Sequence, residues 1–303
     1  MIAAAGTDSL SRFVFEGAAV RGTRVRLAQA TRAILSAHAY PPSLARILAE
    51  LTGAAALLAA ALKFDGRLSV QLVGDGPVRL IVVECNAALG LRATAQWDEA
   101  QVRALPDDAT LDRLAGGGEH ARLAIMLDPR DAGPLYQGIV SLEAISVAAT
   151  IEHYLSTSEQ VASKLALVVD DGKVAGMLLQ RMPASGPDDD ATWERAVAAL
   201  HNAARPDLVA AARSDAALAA LFPADDLRVF QASTPRFECT CSRGRVEGAL
   251  RIAGREEIEA ALRDEGRVDV VCEFCGRIYT FAPQEARALF AVAPPTDAPQ
   301  TRH

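Results

Sequence analysis

Five cysteines occur in the 303-residue sequence, and four of them stand in two close pairs: Cys239-x-Cys241, a gap of thirty residues, then Cys272-x-x-Cys275. Thiolates are soft ligands, and two tight turns that each offer two of them complete a tetrahedron around one zinc ion, with metal–sulfur distances of about 2.3 Å. The second turn, VCEFCGRIYTF, has the form of a zinc knuckle, in which Gly276 supplies the backbone freedom to aim amides at the sulfurs. The expectation is one Zn2+ held in the reduced state by Cys239, Cys241, Cys272 and Cys275. Four unrelated buried cysteines are the plainest alternative, and the ordered pairing at both ends of a small unit speaks against it. A thioredoxin-like redox pair would need a strand–helix unit around its C-x-x-C, which the far end of this chain does not provide. A nucleic-acid-binding zinc ribbon would need a basic face, whereas Arg236 to Arg287 carries nine Arg against ten Asp and Glu.

The same thiols are oxidisable. A disulfide sulfur is no longer a thiolate donor, so oxidation would strip the metal of its ligands, and adjacency makes Cys239 with Cys241 and Cys272 with Cys275 the natural partners. Chemistry alone does not separate a zinc staple from a zinc switch. The thinly apolar segment that precedes the site favours the switch, because whatever is docked on the zinc unit would be released with it. Elsewhere the chemistry-bearing residues are sparse. Cys85 closes an apolar run and reads as an inert core thiol; His38, His120, His153, His201 and His303 are scattered, with His153 read as a helix-packing residue. Ser158-Glu159-Gln160 reads as helix-end capping, and no nucleophile elbow, phosphate loop or dinucleotide fingerprint is present. No enzyme and no catalytic residue are expected.

Composition narrows the class further. The net charge of −7 opposes broad attraction to nucleic acid or an anionic membrane surface. The run LTGAAALLAAAL, Leu51 to Leu62, is too short and too Ala-rich to cross a bilayer and reads as a buried helix. The start, MIAAAGTDSLSRF, has no signal-peptide pattern, so the cytoplasm is the expected compartment, where clustered thiols stay reduced and bind metal or do redox chemistry.

The elements that must carry the site follow from periodicity. Phe13 and Phe15 share one face of a strand in RFVFEG, VRGTRVRL continues as strand, and two helices follow, the second from Ser43 to Leu62 with Ser43 as its N-cap. Leu68, Val70 and Leu72 alternate before the turn Gly74-Asp75-Gly76-Pro77 and a second apolar run, a hairpin signal. GLRATAQ, RLAIML and YQGIVSL read as strands, Leu142 to about Ser156 as a helix, and LALVVDDGKVAGMLLQ as a last hairpin turning at Asp170-Asp171-Gly172. The class is α+β: residues 1–183 form a mostly antiparallel sheet domain with packed helices. Residues 184–235 form a helical linker of low intrinsic stability, in which Trp193, Val197 and Leu200 fall at helical spacing and Pro206 and Ser214 start two further helices. Residues 236–290 form the four-cysteine zinc unit, with a helix over Arg255 to Arg263, and 291–303 read as a disordered tail.

With these residues placed, the sequence resembles the redox-regulated thirty-three-kilodalton heat-shock chaperonin family over nearly its whole length. The motifs that carry the resemblance are Cys239-Thr240-Cys241-Ser242 with Arg245, and Cys272-Glu273-Phe274-Cys275-Gly276 followed by Tyr279 and Phe281. In the core they are Val20-Arg21-Gly22, Tyr40-Pro41, Lys63-Phe64-Asp65-Gly66, Gly74-Asp75-Gly76-Pro77, Tyr154 with Ser158-Glu159-Gln160, and Leu179-Gln180 with Pro183. The resemblance implies an ATP-independent holdase, inactive when reduced and zinc-bound, and activated by peroxide or hypochlorite together with unfolding conditions. It also implies a homodimer on activation, unfolded client proteins as partners, and transfer of clients to ATP-dependent folding chaperones.

Overall fold

The computed structural model describes residues 7–62, 65–117, 121–129, 135–142, 146–183 and 187–290. Lys63, Phe64, His120, the first residues of the expected linker, and the tail with His303 lie outside them. The chain divides into two compact units, Met1–Glu238 and Cys239–His303.

In the first unit, β1 (Ser9–Phe15), β2 (Val20–Leu27), α1 (Gln29–Leu35) and α2 (Pro42–Ala61) are followed by β3 (Gly66–Val73), β4 (Val78–Asn86) and β5 (Gly90–Trp97). Two short helices, α3 (Glu99–Arg103) and α4 (Leu111–Ala115), lead to β6 (Arg122–Pro129), β7 (Tyr136–Ser141), α5 (Val147–Thr157), β8 (Ser163–Asp170) and β9 (Lys173–Arg181). Then come α6 (Pro187–Asn202), α7 (Arg205–Ala211), α8 (Asp215–Leu221), β10 (Leu227–Val229) and β11 (Arg236–Phe237). One sheet has the order β10-β1-β2-β9-β8 and is antiparallel throughout; the other runs β11-β5-β4-β3-β6-β7, antiparallel except for the β11–β5 pair.

Between the sheets lies α2, which touches strands of both. Apart from the half-buried Arg46–Glu50 pair its residues are apolar on nearly every side, as a helix largely covered by packing requires, and Leu44, Leu48, Leu51, Leu57 and Leu58 are at most 1% exposed. Among the described residues it is the one helix long and apolar enough to span a membrane, and it is buried as the core of this unit. Ser43 does not cap it. Pro42 takes the first helical position, where a missing N–H is no loss, and Ser43 is buried inside the first turn. For α1, whose own N-cap residue offers no side-chain bond, Asp8 substitutes: its carboxylate accepts the N–H groups of Ala28, Gln29 and Ala30 at 2.6–2.8 Å.

The alternation of β1 and β2 gives the five-stranded sheet two different faces. Leu10, Val25 and Leu27 turn toward α2, whereas Phe13, Phe15 and Val20, with Met177 and Leu179 of β9, form a second apolar cluster. Phe13 lies opposite Gly22, and a Cβ there would run into the ring. Covering this face are α6, α7 and α8, which contribute Ala196, Leu200, Ala211, Leu218 and Phe222. The helix starts at Pro206 and Ser214 stand as expected, with the Ser214 hydroxyl accepting the Ala217 N–H. The segment that follows adds a strand to each sheet, β10 beside β1 and β11 beside β5.

Helix α5 begins at Val147, with Ser146 as its cap, and residues 143–145 lie outside the described set. His153 is exposed on it and is not a packing residue, because the buried stripe runs through Ile151, Tyr154 and Leu155. Glu159 does more than end the helix: its carboxylate accepts the buried Tyr154 hydroxyl at 2.6 Å.

The second unit contains α9 (Arg243–Ala253), α10 (Arg255–Glu265), β12 (Val268–Val271), β13 (Ile278–Phe281) and α11 (Pro283–Ala288). Its core is small: Val246, Leu250, Ile258, Leu262, Val268, Phe281 and Ala286. The antiparallel hairpin β12–β13 brings Val268 opposite Phe281 and Val270 opposite Tyr279 on the inner side.

Candidate metal centre

The two cysteine turns meet at one place. The Sγ atoms of Cys239, Cys241, Cys272 and Cys275 all lie within 4.8 Å of one another, and every one of the four residues is half-buried. Cys239 and Cys272 are 3.7 Å apart and Cys241 and Cys275 are 3.5 Å apart, contacts that join one turn to the other. A regular tetrahedron with 2.3 Å metal–sulfur bonds has sulfur–sulfur edges of about 3.8 Å. The donor set thus fits a tetrahedral thiolate site in both chemistry and spacing.

Each turn is held by its own backbone. The first runs directly into α9, whose cap is Ser242, accepting the Arg245 N–H; Arg245 in turn donates to the Thr240 hydroxyl at 2.6 Å and ties down the residue between the two cysteines. The second sits at the tip of the β12–β13 hairpin. There Cys272 donates its N–H to the Arg277 carbonyl at 2.9 Å and accepts from Gly276 at 2.8 Å, with Gly276 at φ +68°, in the left-handed region that glycine occupies without strain. Beneath the turns, the Arg243 guanidinium lies 4.2 Å from the Phe281 ring centre and pairs with Glu285 at 2.9 Å, which anchors the start of α9 to α11.

The thiols are electrostatically unequal. Burial raises Cys239, and raises Cys275 to about 12. Burial also opposes ionisation of Cys241, but hydrogen bonds from Tyr279 and the neighbouring thiols outweigh it and draw that thiol down to about 7. The Tyr279 hydroxyl donates to Cys241 Sγ at 3.1 Å. Sequence reasoning gave Tyr279 no role at the sulfurs; the alternation of β13, which points it to the same side as Phe281, was the available signal. Cys85 is far from this chemistry in kind: it is fully buried at the end of β4, and burial pushes its thiol up to about 12.

The family model described as Hsp33 protein matches residues 8–282. This chain belongs to the Hsp33 family. Among its relatives, the 33 kDa chaperonin of Chromobacterium violaceum is 39% identical over 98% of both chains. That of Shewanella sediminis is 38% identical over 97% of this chain and 99% of the relative. The crystal structure of the 33 kDa chaperonin of Thermotoga maritima superposes with a TM-score of 0.78 over 94% of this chain and 98% of that one; at 21% identity it shows the shared fold. The Hsp33 relatives are named chaperonins rather than enzymes, and the chain is accordingly a chaperone with a four-cysteine cluster able to hold a metal ion.

Proposed function

We propose that this Hsp33 chain is a redox-regulated, ATP-independent holdase of the cytoplasm, which binds unfolding proteins under oxidative stress and prevents their aggregation. The observation that carries the reading is the gathering of Cys239, Cys241, Cys272 and Cys275 within 4.8 Å, at metal-site spacing, in a unit whose core cluster among the described residues has seven buried apolar residues. Bound there, one zinc ion would hold the four sulfurs as thiolates and supply ~10 to 16 kcal/mol of folding free energy, as much as a whole domain's stability of ~5 to 15 kcal/mol.

Oxidation acts on the cysteines themselves. Cys239 with Cys241, and Cys272 with Cys275, form two S–S bonds, passing four electrons to two equivalents of peroxide, which leave as water. All four donors are lost together, and the second unit is left to its small core. The linker, α6 to β10, leads along the chain into that unit. It covers Phe13, Phe15, Val20, Met177 and Leu179 with few apolar side chains of its own, so its release exposes an apolar surface able to capture clients. The activated form acts as a homodimer, takes no nucleic acid or membrane as partner, and passes clients to ATP-dependent folding chaperones.

Suppression of the aggregation of a chemically unfolded test protein decides the matter. Peroxide-treated protein should suppress it while reduced, zinc-loaded protein does not; equal activity in both states defeats the switch.

A further inference from the structure

We infer that Arg24 is a positioning residue that latches the linker to the five-stranded sheet and sets how readily the linker is released, a role that rests on reading linker release as the activating step. Arg24 projects from β2 on the same side as Val20 and Gly22, next to the Phe13–Gly22 pair, and the residue is 7% exposed. A buried guanidinium needs its donors satisfied and its charge balanced. One donor stays within the sheet: Nε reaches the Ser11 hydroxyl on the paired strand β1 at 2.8 Å. The others reach across to the linker. Nη1 donates to the carbonyls of Ala211 and Ser214 at 2.8 and 2.9 Å, where α7 ends, and Nη2 pairs with the carboxylate of Asp215 at the first turn of α8.

This arrangement fixes the turn between two short helices that bury few apolar residues of their own, Phe222 after α8 being the main apolar anchor. Helices α7 and α8 are seven residues each, with one buried residue apiece, Ala211 and Leu218. Arg24 supplies a cation at the carbonyl end of α7 and a counter-charge at the amide-side carboxylate of α8, so the turn between them is fixed from the sheet side. The pairing is asymmetric. Arg24 is buried, whereas the Asp215 side chain is 70% exposed, so water reaches the latch from the linker side. When the linker lifts, every partner of Arg24 that came from it becomes hydrated and so does Arg24. When Arg24 is replaced and the linker stays down, the Ala211 carbonyl and the Ser11 hydroxyl lose the Arg24 donor, and the Ser214 carbonyl is left with the Leu218 N–H alone. Substitution therefore penalises the docked state alone.

Trypsin cleavage after Arg213, the exposed residue between α7 and α8, reads the latch directly in reduced, zinc-loaded protein. Arg24→Met keeps an unbranched stem and removes the fork; it should be cut roughly tenfold faster or more, and should suppress aggregation without oxidation. Arg24→Lys, a single ammonium that cannot serve two carbonyls, a hydroxyl and a carboxylate together, should fall between. Metal content and the amide protection of α2 should match the unsubstituted protein, which a general loss of stability would not allow. Should Arg24→Met fail to fold, Asp215→Ala at the exposed end decides by the same cleavage, with a severalfold increase expected. An unchanged cleavage rate overturns the latch. Oxidised unsubstituted protein in the same aggregation assay separates the two ideas. If it is active and the variants are cut no faster, the latch falls and the switch stands; if the variants are cut faster but nothing suppresses aggregation, the latch stands and the switch falls.

Discussion

Replacing Phe222 with Ala should activate this Hsp33 without oxidant. Phe222 follows α8, is 2% exposed, and is the largest fully buried side chain that the linker contributes. Its ring centre lies 5.1 Å from that of Phe15, edge-on at 71°, and 6.2 Å from that of Phe13. The other buried residues that the linker adds to this cluster, Ala196, Leu200, Ala211 and Leu218, include two alanines, so the aromatic contact dominates the docking. Truncating a buried Phe to Ala costs about 3 to 5 kcal/mol. At 1.4 kcal/mol per factor of ten, docking should weaken by roughly 10² to 10³-fold or more. Hydrogen exchange of the amides between Pro187 and Phe237, measured on reduced, zinc-loaded protein, reads this equilibrium residue by residue. Protection in α6, α7 and α8 should collapse while that of α2 and of the second unit persists, and aggregation should be suppressed before any thiol is oxidised. Exchange in α6 to α8 as slow as in the unsubstituted protein would refute the argument that aromatic packing holds the linker down.

Further outcomes follow from individual groups. Tyr154→Phe removes the hydroxyl that donates to Glu159 and leaves a half-buried carboxylate short of a partner; the first unit should lose about 1 to 3 kcal/mol in denaturant unfolding. In metal-free, reduced protein an alkylating reagent should modify Cys239, Cys241, Cys272 and Cys275 together near neutral pH, because the unit that holds them is unfolded, with Cys85 labelled only after denaturation, a difference that mass spectrometry of timed samples resolves. Burial pushes the Glu50 carboxyl above its ordinary 4.5, against the pull of Arg46. Its folded state therefore binds a proton more readily than its unfolded state, so its contribution to stability is fully present below pH 4.5 and is lost as pH rises through the folded value. Glu50→Gln should flatten the stability–pH curve in that window, measured as the denaturant midpoint against the unsubstituted protein.

The parts of the fold that repeat locally were legible. Phe13 and Phe15, or Leu68, Val70 and Leu72, alternate because one face of each strand is buried, and the turn Asp170-Asp171-Gly172 shows its hairpin by residue type alone; Asp171 and Gly172 both have positive φ. The cysteine cluster was legible for a similar reason, since each pair is a local turn and only their meeting is long-range. What depends on distant partners left no local trace. Strand β11 is two residues long and pairs with Gly90 and Leu91, almost 150 residues earlier, and β10 adds to β1 across more than 200 residues. Arg24 looked like one more arginine in an Arg-rich chain, because its linker partners lie 187 to 191 residues away. Helix α9 was not expected from the sequence, because its two glycines and charged surface obscure the helical pattern; Ser242, which caps it, was the one local signal.

The central claim is that a metal held by Cys239, Cys241, Cys272 and Cys275 keeps the second unit folded, and that oxidising those sulfurs releases it. Hydrogen exchange of α9, α10 and the β12–β13 hairpin, compared among zinc-loaded reduced, chelator-stripped reduced and peroxide-oxidised protein, tests it most directly. Protection should be present in the loaded form and lost in both others, while the α2 core of the first unit is unchanged in all three. A stripped, fully reduced protein that protects these elements as well as the loaded one would contradict the account.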